Sequence, residues 1–233
     1  MFLAVPRIWE KFEEKLKEIA STKPAILQNL SGWAKGYGTL NTQAKLKKTE
    51  PPFMYSVANL LILSNIKKAL GLDQSNAFFF GAAPLKKTSI DYFSSLDMVL
   101  FNVYGMSETT GAATINTFSN FRLDRCGQSM PGMDLKIANP DENGEGEILM
   151  RGRNTMMGYL KNEEATRKTL DDEGFIMSGD RGRIDQDGFL QITGRIKELI
   201  ITAGGENIAP VPIEDTFKTF FPACSNIMVV GEQ

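Results

Sequence analysis

The 233-residue sequence contains no histidine. This absence excludes Ser-His-Asp and Cys-His nucleophile activation, histidine metal ligation and histidine proton transfer, because each of them needs an imidazole. Any chemistry must therefore use carboxylates, lysine, arginine, hydroxyls and backbone groups. Phosphoryl and adenylyl transfer can proceed with such groups, since they depend mostly on positioning and electrostatic stabilisation.

The sequence also has few cysteines and a small net charge. The two cysteines, Cys126 and Cys224, are far apart and form no CxxC spacing, so a reducing compartment suits them better than a disulfide framework. The net charge is −2 with acids and bases interspersed, and the lack of a basic stripe argues against nucleic acid as a partner. Met1 precedes apolar residues without a basic segment or cleavage site, which predicts no secretory signal. We therefore expect a cytoplasmic protein.

No hydrophobic run is long enough to predict a membrane span. The most apolar stretch, 54–70, is shorter than the roughly 20 residues that a span needs, and it contains Ser56, Asn59, Ser64 and Asn65. It predicts a buried or interfacial helix that packs against a sheet, with Gly71 at its C-terminal cap. Peripheral association with a membrane, such as that of the endoplasmic reticulum, stays an open alternative.

The first half of the chain predicts helices followed by a parallel β-α-β unit. Segment 6–19 has an apolar stripe typical of a helix. A second helical segment, 25–48, is interrupted by three glycines, so a break is expected there. Residues 77–81 and 98–105 are continuous apolar strands with a short helix, 89–95, between them. In such sheets, ligands bind at the carboxyl ends of the strands.

The second half predicts a β-rich module. Between 125 and 192, short strands alternate with glycine turns, which indicates a small antiparallel barrel or sheet. Residues 193–198 then form a connection into a strand, a loop and a helix that carries Glu214 and Asp215. The segment 225–231 is expected to be a closing strand.

A carboxylate just beyond the strand 98–105 is the sharpest candidate for chemistry. Glu108 lies between Ser107 and two threonines, and Mg²⁺ takes few carboxylates together with substrate phosphates. The alternative is a structural turn in which Ser107 caps a helix. Tyr104, before it, is either a base-stacking ring or a core side chain. Gly81 and its neighbours either let a flat base approach the backbone or form an ordinary turn.

Two charged residues later in the chain have a similar pair of interpretations. Asp180 suits a ribose diol, since one ionised carboxylate can accept hydrogen bonds from both hydroxyls, and its alternative is an Asx-turn. Arg195 has a fixed fork of donors for ribose or phosphate, and its alternative is a solvated ion pair. Neither residue is decisive by itself.

Three blocks resemble the acyl-adenylate-forming enzymes, which include acyl-CoA synthetases, luciferases and peptide-synthetase adenylation domains. They are YGMSETTG (Tyr104–Gly111), SGD (Ser178–Asp180) and TGRIKELIITAGGEN (Thr193–Asn207). Three other blocks are similar to the long-chain fatty acyl-CoA synthetases: VPRIWEKF (Val5–Phe12), GAAPL (Gly81–Leu85) and GEGEILMRGRNTMMGYLKNEEAT (Gly144–Thr166). A further block, ELIITAGGENIAPVPIED (Glu198–Asp215), is similar to the bubblegum type within that group. The resemblance covers nearly the whole chain.

The resemblance implies an α/β fold: a partial large domain of the adenylate-forming fold, followed by the start of the small C-terminal α+β domain. The implied segments are 1–124, part of the nucleotide-binding domain with its parallel β-α-β part; 125–193, a β-barrel-like subdomain; 194–198, a hinge; and 199–233, a truncated C-terminal domain. The chain contains neither the TSGTTG-like phosphate loop of the family nor its late lysine motif. We therefore expect both N- and C-terminal portions of the full enzyme to be missing.

The resemblance also implies roles for individual residues. Glu108 would be the magnesium ligand and Ser107 a contact to the α-phosphate. ATP and AMP would be held by Gly81, Ala82, Ala83, Tyr104, Gly105, Ser107, Asp180 and Arg195. Lys197 would be the hinge, and Gly204-Gly205 would join the thioester-forming arrangement. The family usually has a histidine just before SGD, whereas this chain has Met177, a departure that weakens local nucleotide contacts.

The implied activity is a long-chain-fatty-acid–CoA ligase that forms AMP. ATP, Mg²⁺, coenzyme A and a long-chain fatty acid would be its cofactor and substrates. Two alternatives remain: another adenylate-forming ligase, and a truncated isoform that binds a nucleotide or a partner without turnover. We expect the isolated chain to be inactive.

Overall fold

The computed structural model describes residues 1–198, 200–201, 207–208, 210–221, 224 and 227–231. The chain divides into two units. Unit 1 contains residues 1–104 and 115–127, and unit 2 contains residues 105–114 and 128–233. None of the described helices is long and apolar enough to cross a membrane.

Unit 1 has the predicted parallel strands with helices between them. Its elements are β1 (Phe2–Ala4), α1 (Pro6–Ser21), α2 (Ala25–Lys47), α3 (Tyr55–Ala58), a π-helical turn (Asn59–Leu63), α4 (Ser64–Ala69), β2 (Phe78–Gly81), α5 (Lys87–Ser95) and most of β3 (Leu100–Met106). β1 pairs with β2 and β2 with β3, all in parallel. The predicted β-α-β unit is confirmed, and β1 is an additional strand that the short apolar start of the sequence did not reveal.

The continuous apolar character of β2 follows from cover on both faces. Phe78 and Phe80 pack into one buried cluster with Trp9 and Phe93, whereas Phe79 packs into a second cluster on the opposite face. Alternate side chains of a strand point to opposite faces, so a sheet covered on both sides needs apolar residues at every position. The Trp9 ring is fully buried, and its Nε1 donates to the Phe79 carbonyl at 3.1 Å.

Two helical predictions need correction. α2 runs unbroken through its glycines, because tertiary packing overrides their low helix propensity. The apolar stretch 54–70 is helical from residue 55 to residue 69, as predicted, but its middle turn is π-helical and it is not fully buried, since Leu60 and Leu61 are 73% and 52% exposed. The predicted cap at Gly71 is confirmed by its positive φ of 70° and by the Gly71 amide donating to the Lys68 carbonyl.

Unit 2 contains a four-stranded antiparallel sheet. Its elements are the end of β3, most of β4 (Gly111–Ile115), β5 (Gln128–Ser129), β6 (Met133–Ala138), β7 (Gly146–Gly152), α6 (Glu163–Thr169), β8 (Ile176–Ile184), β9 (Leu190–Arg195), β10 (Ile200–Ile201), β11 (Asn207–Ile208) and α7 (Pro210–Phe220). The sheet order is β6-β7-β8-β9, which confirms the predicted antiparallel module. β8 is a single nine-residue strand that continues through Gly179 and Gly182.

The C-terminal part matches its prediction only in outline. A strand and a helix follow residue 198, as expected, in β10 and α7. The expected closing strand is wrong, since residues 227–231 are described outside any strand. The Val229 amide instead donates to the Glu214 carboxylate at 2.8 Å, a side-chain partner in place of a sheet partner.

Candidate nucleotide and magnesium site

The turn that carries Glu108 begins where β3 ends. Ser107–Thr109 form a single 3₁₀ turn, and Thr110 and Gly111 follow with φ of 55° and 106°. The Thr109 hydroxyl closes this turn, because it accepts from the Met106 amide at 3.1 Å and lies 2.9 Å from the Gly111 carbonyl oxygen. The structural hydrogen bonds expected of a capping Ser107 are therefore made by Thr109 instead.

Ser107 is left available by this arrangement. Its side chain is exposed and lies inside the 3₁₀ turn, where the cap position is Met106. Among the residues that the structure describes, its hydroxyl has no hydrogen-bond partner. A hydroxyl held at a strand end without an internal partner can serve an external acceptor such as a phosphate oxygen.

The Glu108 carboxylate has one defined partner. The Tyr159 hydroxyl donates to Glu108 Oε1 at 2.6 Å, and the Met156 amide donates to the Glu108 carbonyl at 2.8 Å. The hydrogen bond to Glu108, followed by burial, raises the pKa of Tyr159. Tyr159 is a site residue that sequence reasoning missed, although it lies in the block GEGEILMRGRNTMMGYLKNEEAT.

A second residue of the same segment fastens the turn. Asn154 donates from Nδ2 to the Thr109 carbonyl at 2.7 Å, and its own carbonyl accepts from the Thr110 hydroxyl at 2.6 Å. Residues 154–159 thus contact three successive residues of the Glu108 turn. The turn is held by side chains of a distant segment, as a site that must keep its geometry requires.

The donor set around Glu108 fits a magnesium ion that arrives with a nucleotide. Mg²⁺ binds through one or two carboxylates and completes its shell with phosphates and water. Within the described part of the chain, no group of three or more His, Cys, Asp or Glu residues could hold a metal. A single half-buried carboxylate beside an available hydroxyl therefore suits a metal–nucleotide complex better than a protein-only metal cage.

Asp180 and Arg195 are brought together by strand pairing. They are register partners of β8 and β9, with Arg195 Nε 3.4 Å from Asp180 Oδ1. Ser178–Asp180 form a bulge in β8, since Met177 pairs with Leu149 and Arg181 with Glu147. Bulges redirect side chains and are common beside active sites. Asp180 itself lies within the strand β8.

In unit 1, the carboxyl ends of β2 and β3 place GAAPL beside Tyr104. Gly81 pairs with Val103, and a Cβ at Gly81 would lie 2.7 Å from the Val103 carbonyl oxygen. Ala82 follows with φ of 68°, a conformation that L-residues adopt at a cost and that often marks functional turns. The Tyr104 side chain is 9% exposed, so only a small part of it is accessible.

Residues 1–160 match the model of the family described as "AMP-binding enzyme". The chain belongs to this family. It is 46% identical over 233 residues to the long-chain-fatty-acid–CoA ligase ACSBG2 of Xenopus laevis, covering 100% of this chain and 32% of that protein. It is 41% identical over 232 residues to the human long-chain-fatty-acid–CoA ligase ACSBG1, and the match covers 99% of this chain and 32% of that protein. The resemblance to the bubblegum type is confirmed, and the chain spans about a third of these relatives.

Solved structures of adenylate-forming enzymes share the fold. One is o-succinylbenzoate coenzyme A synthetase (MenE) from Bacillus subtilis in complex with ATP and magnesium ion, with a TM-score of 0.59 and 27% identity over 72% of this chain and 38% of that chain. Another is ATP-bound MatB from Rhodopseudomonas palustris, with a TM-score of 0.56 and 29% identity over 66% of this chain and 34% of that chain. The predicted α/β fold class is confirmed.

The remaining predicted positions are Met177, Lys197, Gly105 and Gly204-Gly205. Met177 lies at the start of the β8 bulge and pairs with Leu149. Lys197 lies in the 3₁₀ turn Ile196–Glu198 that directly follows β9. Gly105 tolerates no side chain, because a Cβ would lie 1.8 Å from the Gly111 carbonyl oxygen. Gly204-Gly205 fall outside the described residues.

Proposed function

We propose that this chain forms the nucleotide-binding part of a long-chain-fatty-acid–CoA ligase. The ligase would join a fatty-acid carboxylate to the α-phosphate of ATP with release of pyrophosphate, and coenzyme A would then displace AMP. The observation that supports the proposal most strongly is the Glu108 turn. It places a carboxylate and the available Ser107 hydroxyl side by side at the end of β3. The identity of 40–46% to named ligases along the chain supports it.

Glu108 and Ser107 would hold the metal and the phosphates. When bound, Mg²⁺ would neutralise negative charge that develops on the phosphate oxygens. Glu108 would supply one carboxylate ligand, and the Ser107 hydroxyl would donate to an α-phosphate oxygen. The clamp from residues 154–159 supports this assignment, since a preorganised donor costs no rearrangement during the reaction.

Asp180 and Arg195 would bind the ribose. Their ion pair orients the carboxylate, which is 18% exposed, while Arg195 remains 65% exposed. Asp180 could then accept from the ribose hydroxyls and Arg195 could donate to the same sugar. In unit 1, the backbone of Gly81, Ala82 and Ala83 and the accessible edge of Tyr104 would contact the adenine, and Gly105 would keep the turn narrow.

Lys197 would serve as the hinge between adenylation and thioester formation. Its place in a single 3₁₀ turn after β9 supports this role, because a hinge is a short connection that can absorb a large backbone change. In this proposal 1–124 and 125–193 belong to the large domain, 194–198 is the hinge, and 199–233 begins the small domain. The protein would act in the cytoplasm, with peripheral contact to the endoplasmic reticulum membrane that supplies its fatty acid.

The test uses a chimera in which residues 1–233 replace the matching segment of the Xenopus laevis ligase, with ATP–pyrophosphate exchange driven by palmitate. Glu108→Gln should lower the exchange rate by about 10²- to 10³-fold, the usual cost of one lost electrostatic contact at a transition state. Glu163→Gln is the matched control, since that carboxylate is 88% exposed on α6. Unchanged exchange at limiting Mg²⁺ in the Glu108 variant would remove Glu108 from the mechanism.

A further inference from the structure

The contact between Tyr159 and Glu108 brings no positive charge to the carboxylate. The phenol is a neutral donor, and in the part of the chain that the structure describes no lysine or arginine forms an ion pair with Glu108. Asp180 differs, because Arg195 lies 3.4 Å from it and offsets its charge. Glu108 therefore has one of its oxygens, Oε1, already oriented by a neutral donor.

The backbone of Tyr159 is itself held by the start of α6. The Tyr159 amide donates to the Thr166 hydroxyl at 2.9 Å, and that hydroxyl donates to the Asn162 carbonyl at 2.9 Å. Asn162 caps α6, its Oδ1 accepting from the Ala165 amide at 3.1 Å. A Cβ at Gly158 would lie 2.9 Å from Thr166 Cγ2, so the segment approaches the helix as closely as glycine allows.

These contacts form a continuous support from α6 to the carboxylate. A glutamate side chain has several rotatable bonds, and each conformation that does not face the metal lowers its affinity. A donor fixed by a helix cap restricts those conformations before the ligand arrives, which reduces the ordering cost of binding. A lysine at the same place would restrict them too, but it would compete with the cation for the charge.

We propose that Tyr159 is the positioning residue for Glu108: it holds Oε1 and leaves the other carboxylate oxygen for the magnesium ion of the bound nucleotide. This inference rests on the proposed function, because it assumes that Glu108 is the metal ligand. It gives the block 154–166 a role in supporting the Glu108 turn.

The test measures metal affinity apart from activity. Mn²⁺ serves as the probe in the chimera, with the β,γ-methylene analogue of ATP, and free Mn²⁺ is followed by electron paramagnetic resonance. Tyr159→Phe should raise the dissociation constant for Mn²⁺ about tenfold, the effect of losing one hydrogen bond to a charged group. Affinity for the metal-free nucleotide and the melting temperature should stay near those of the parent and of the control Tyr37→Phe, whose ring packs on Trp33.

Further variants separate positioning from folding. Thr166→Val removes the acceptor of the Tyr159 amide and should shift Mn²⁺ affinity in the same direction by a smaller factor. In a Glu108→Gln background, Tyr159→Phe should add less than about twofold, since residues that act through each other are not additive. If Tyr159→Phe alone leaves Mn²⁺ affinity within about twofold while Glu108→Gln weakens it, the positioning role is wrong and the proposed function stands. If Glu108→Gln has no effect on Mn²⁺, the metal site itself is wrong.

Discussion

Asp97 is a buried carboxylate that joins three helices of unit 1, α2, α3 and α4, and it has no role in the proposed chemistry. It accepts from Asn41 at 2.8 Å, from Lys45 at 2.6 Å, from the Tyr55 hydroxyl at 2.6 Å and from Lys67 at 3.4 Å. Burial alone would raise the pKa of Asp97, but Lys45 and the other donors together hold it below its ordinary value of 3.8. Its folded form therefore binds fewer protons than the unfolded chain.

The sign of the resulting pH dependence follows from linkage. A carboxyl with a depressed folded pKa stabilises the protein above the unfolded pKa, and this contribution is lost as pH falls below 3.8. Asp97→Asn should lower the free energy of unfolding at neutral pH by about 1.5–3 kcal/mol, the value of a hydrogen bond to a charged group. A full buried-pair cost is not expected, since the Lys45 side chain is 44% exposed.

Urea unfolding at neutral pH and just below pH 3.8 checks this prediction. The difference between Asp97→Asn and the parent should shrink as the pH falls. Asp91→Asn is the control, because that residue pairs with Lys87 on the surface with 53% of its side chain exposed and should change little. A difference that is the same at both pH values would rule out an ionised Asp97 as the stabilising group.

The pair Asp180–Arg195 leads to a second prediction at this scale. If Asp180 accepts from the ribose hydroxyls, Asp180→Ala in the chimera should weaken ATP and AMP binding by about tenfold, as expected for a lost hydrogen bond to a charged group. Binding of 2′,3′-dideoxy-ATP should change much less, because it has no hydroxyls to lose. Isothermal titration calorimetry with ATP and with 2′,3′-dideoxy-ATP measures both affinities. Equal losses of affinity for the two nucleotides would indicate that Asp180 has only a structural role in the β8 bulge.

At the level of elements, α2 offers a matched pair of glycines. A Cβ at Gly36 would meet nothing within 4 Å, whereas one at Gly38 would lie 2.0 Å from the Ser95 carbonyl oxygen at the end of α5. Gly36→Ala should raise the free energy of unfolding by about 0.5–1 kcal/mol, because alanine is the better helix former. Gly38→Ala should lower it by about 1–3 kcal/mol through overpacking.

Thermal unfolding followed by circular dichroism measures both glycine variants. Gly32→Ala is a second positive case, since its Cβ also meets nothing within 4 Å. The prediction fails if Gly38→Ala is as stable as Gly36→Ala. That result would mean that α2 and α5 can move apart without cost.

The same helix shows why sequence patterns predicted only part of the fold. The apolar runs of β2 and β3 predicted parallel pairing because burial on both faces acts on every residue of the strand. Glycines argued for a break in α2, but Gly38 is required by the close approach of α5, a tertiary contact that no local pattern contains. β1 has only three residues, too few for a period to be recognised.

The candidate site divides in the same way. Glu108 and Asp180 could be proposed from the sequence because each lies in a short block that resembles the adenylate-forming enzymes, Tyr104–Gly111 and Ser178–Asp180. Tyr159 could not, since its contact with Glu108 joins residues 51 positions apart. The bulge at Ser178–Asp180 was also invisible, because a bulge is defined by pairing with β7 and not by the residues of β8 themselves.

At the scale of the whole molecule, the last prediction concerns the 233-residue chain by itself. It spans about a third of the relatives that it matches, and the TSGTTG-like phosphate loop that the resemblance implies for the full enzyme does not occur in its sequence. The Glu108 turn and the Asp180–Arg195 pair could then hold a metal and a ribose, but the transition state would lack its phosphate donors. Each missing donor costs about 10²- to 10³-fold in rate, so overall ligation should stay near background.

The assay incubates the purified chain with ATP, Mg²⁺, palmitate and coenzyme A and detects palmitoyl-CoA by mass spectrometry against a boiled control. The chimera with the Xenopus laevis ligase serves as the positive arm, and it should produce palmitoyl-CoA because the replaced segment is 46% identical. Activity of the chain alone would show that phosphate donors come from residues 1–233 themselves. Inactivity of a correctly folded chimera would instead favour a chain that binds nucleotide without turnover, since its other parts come from a named ligase.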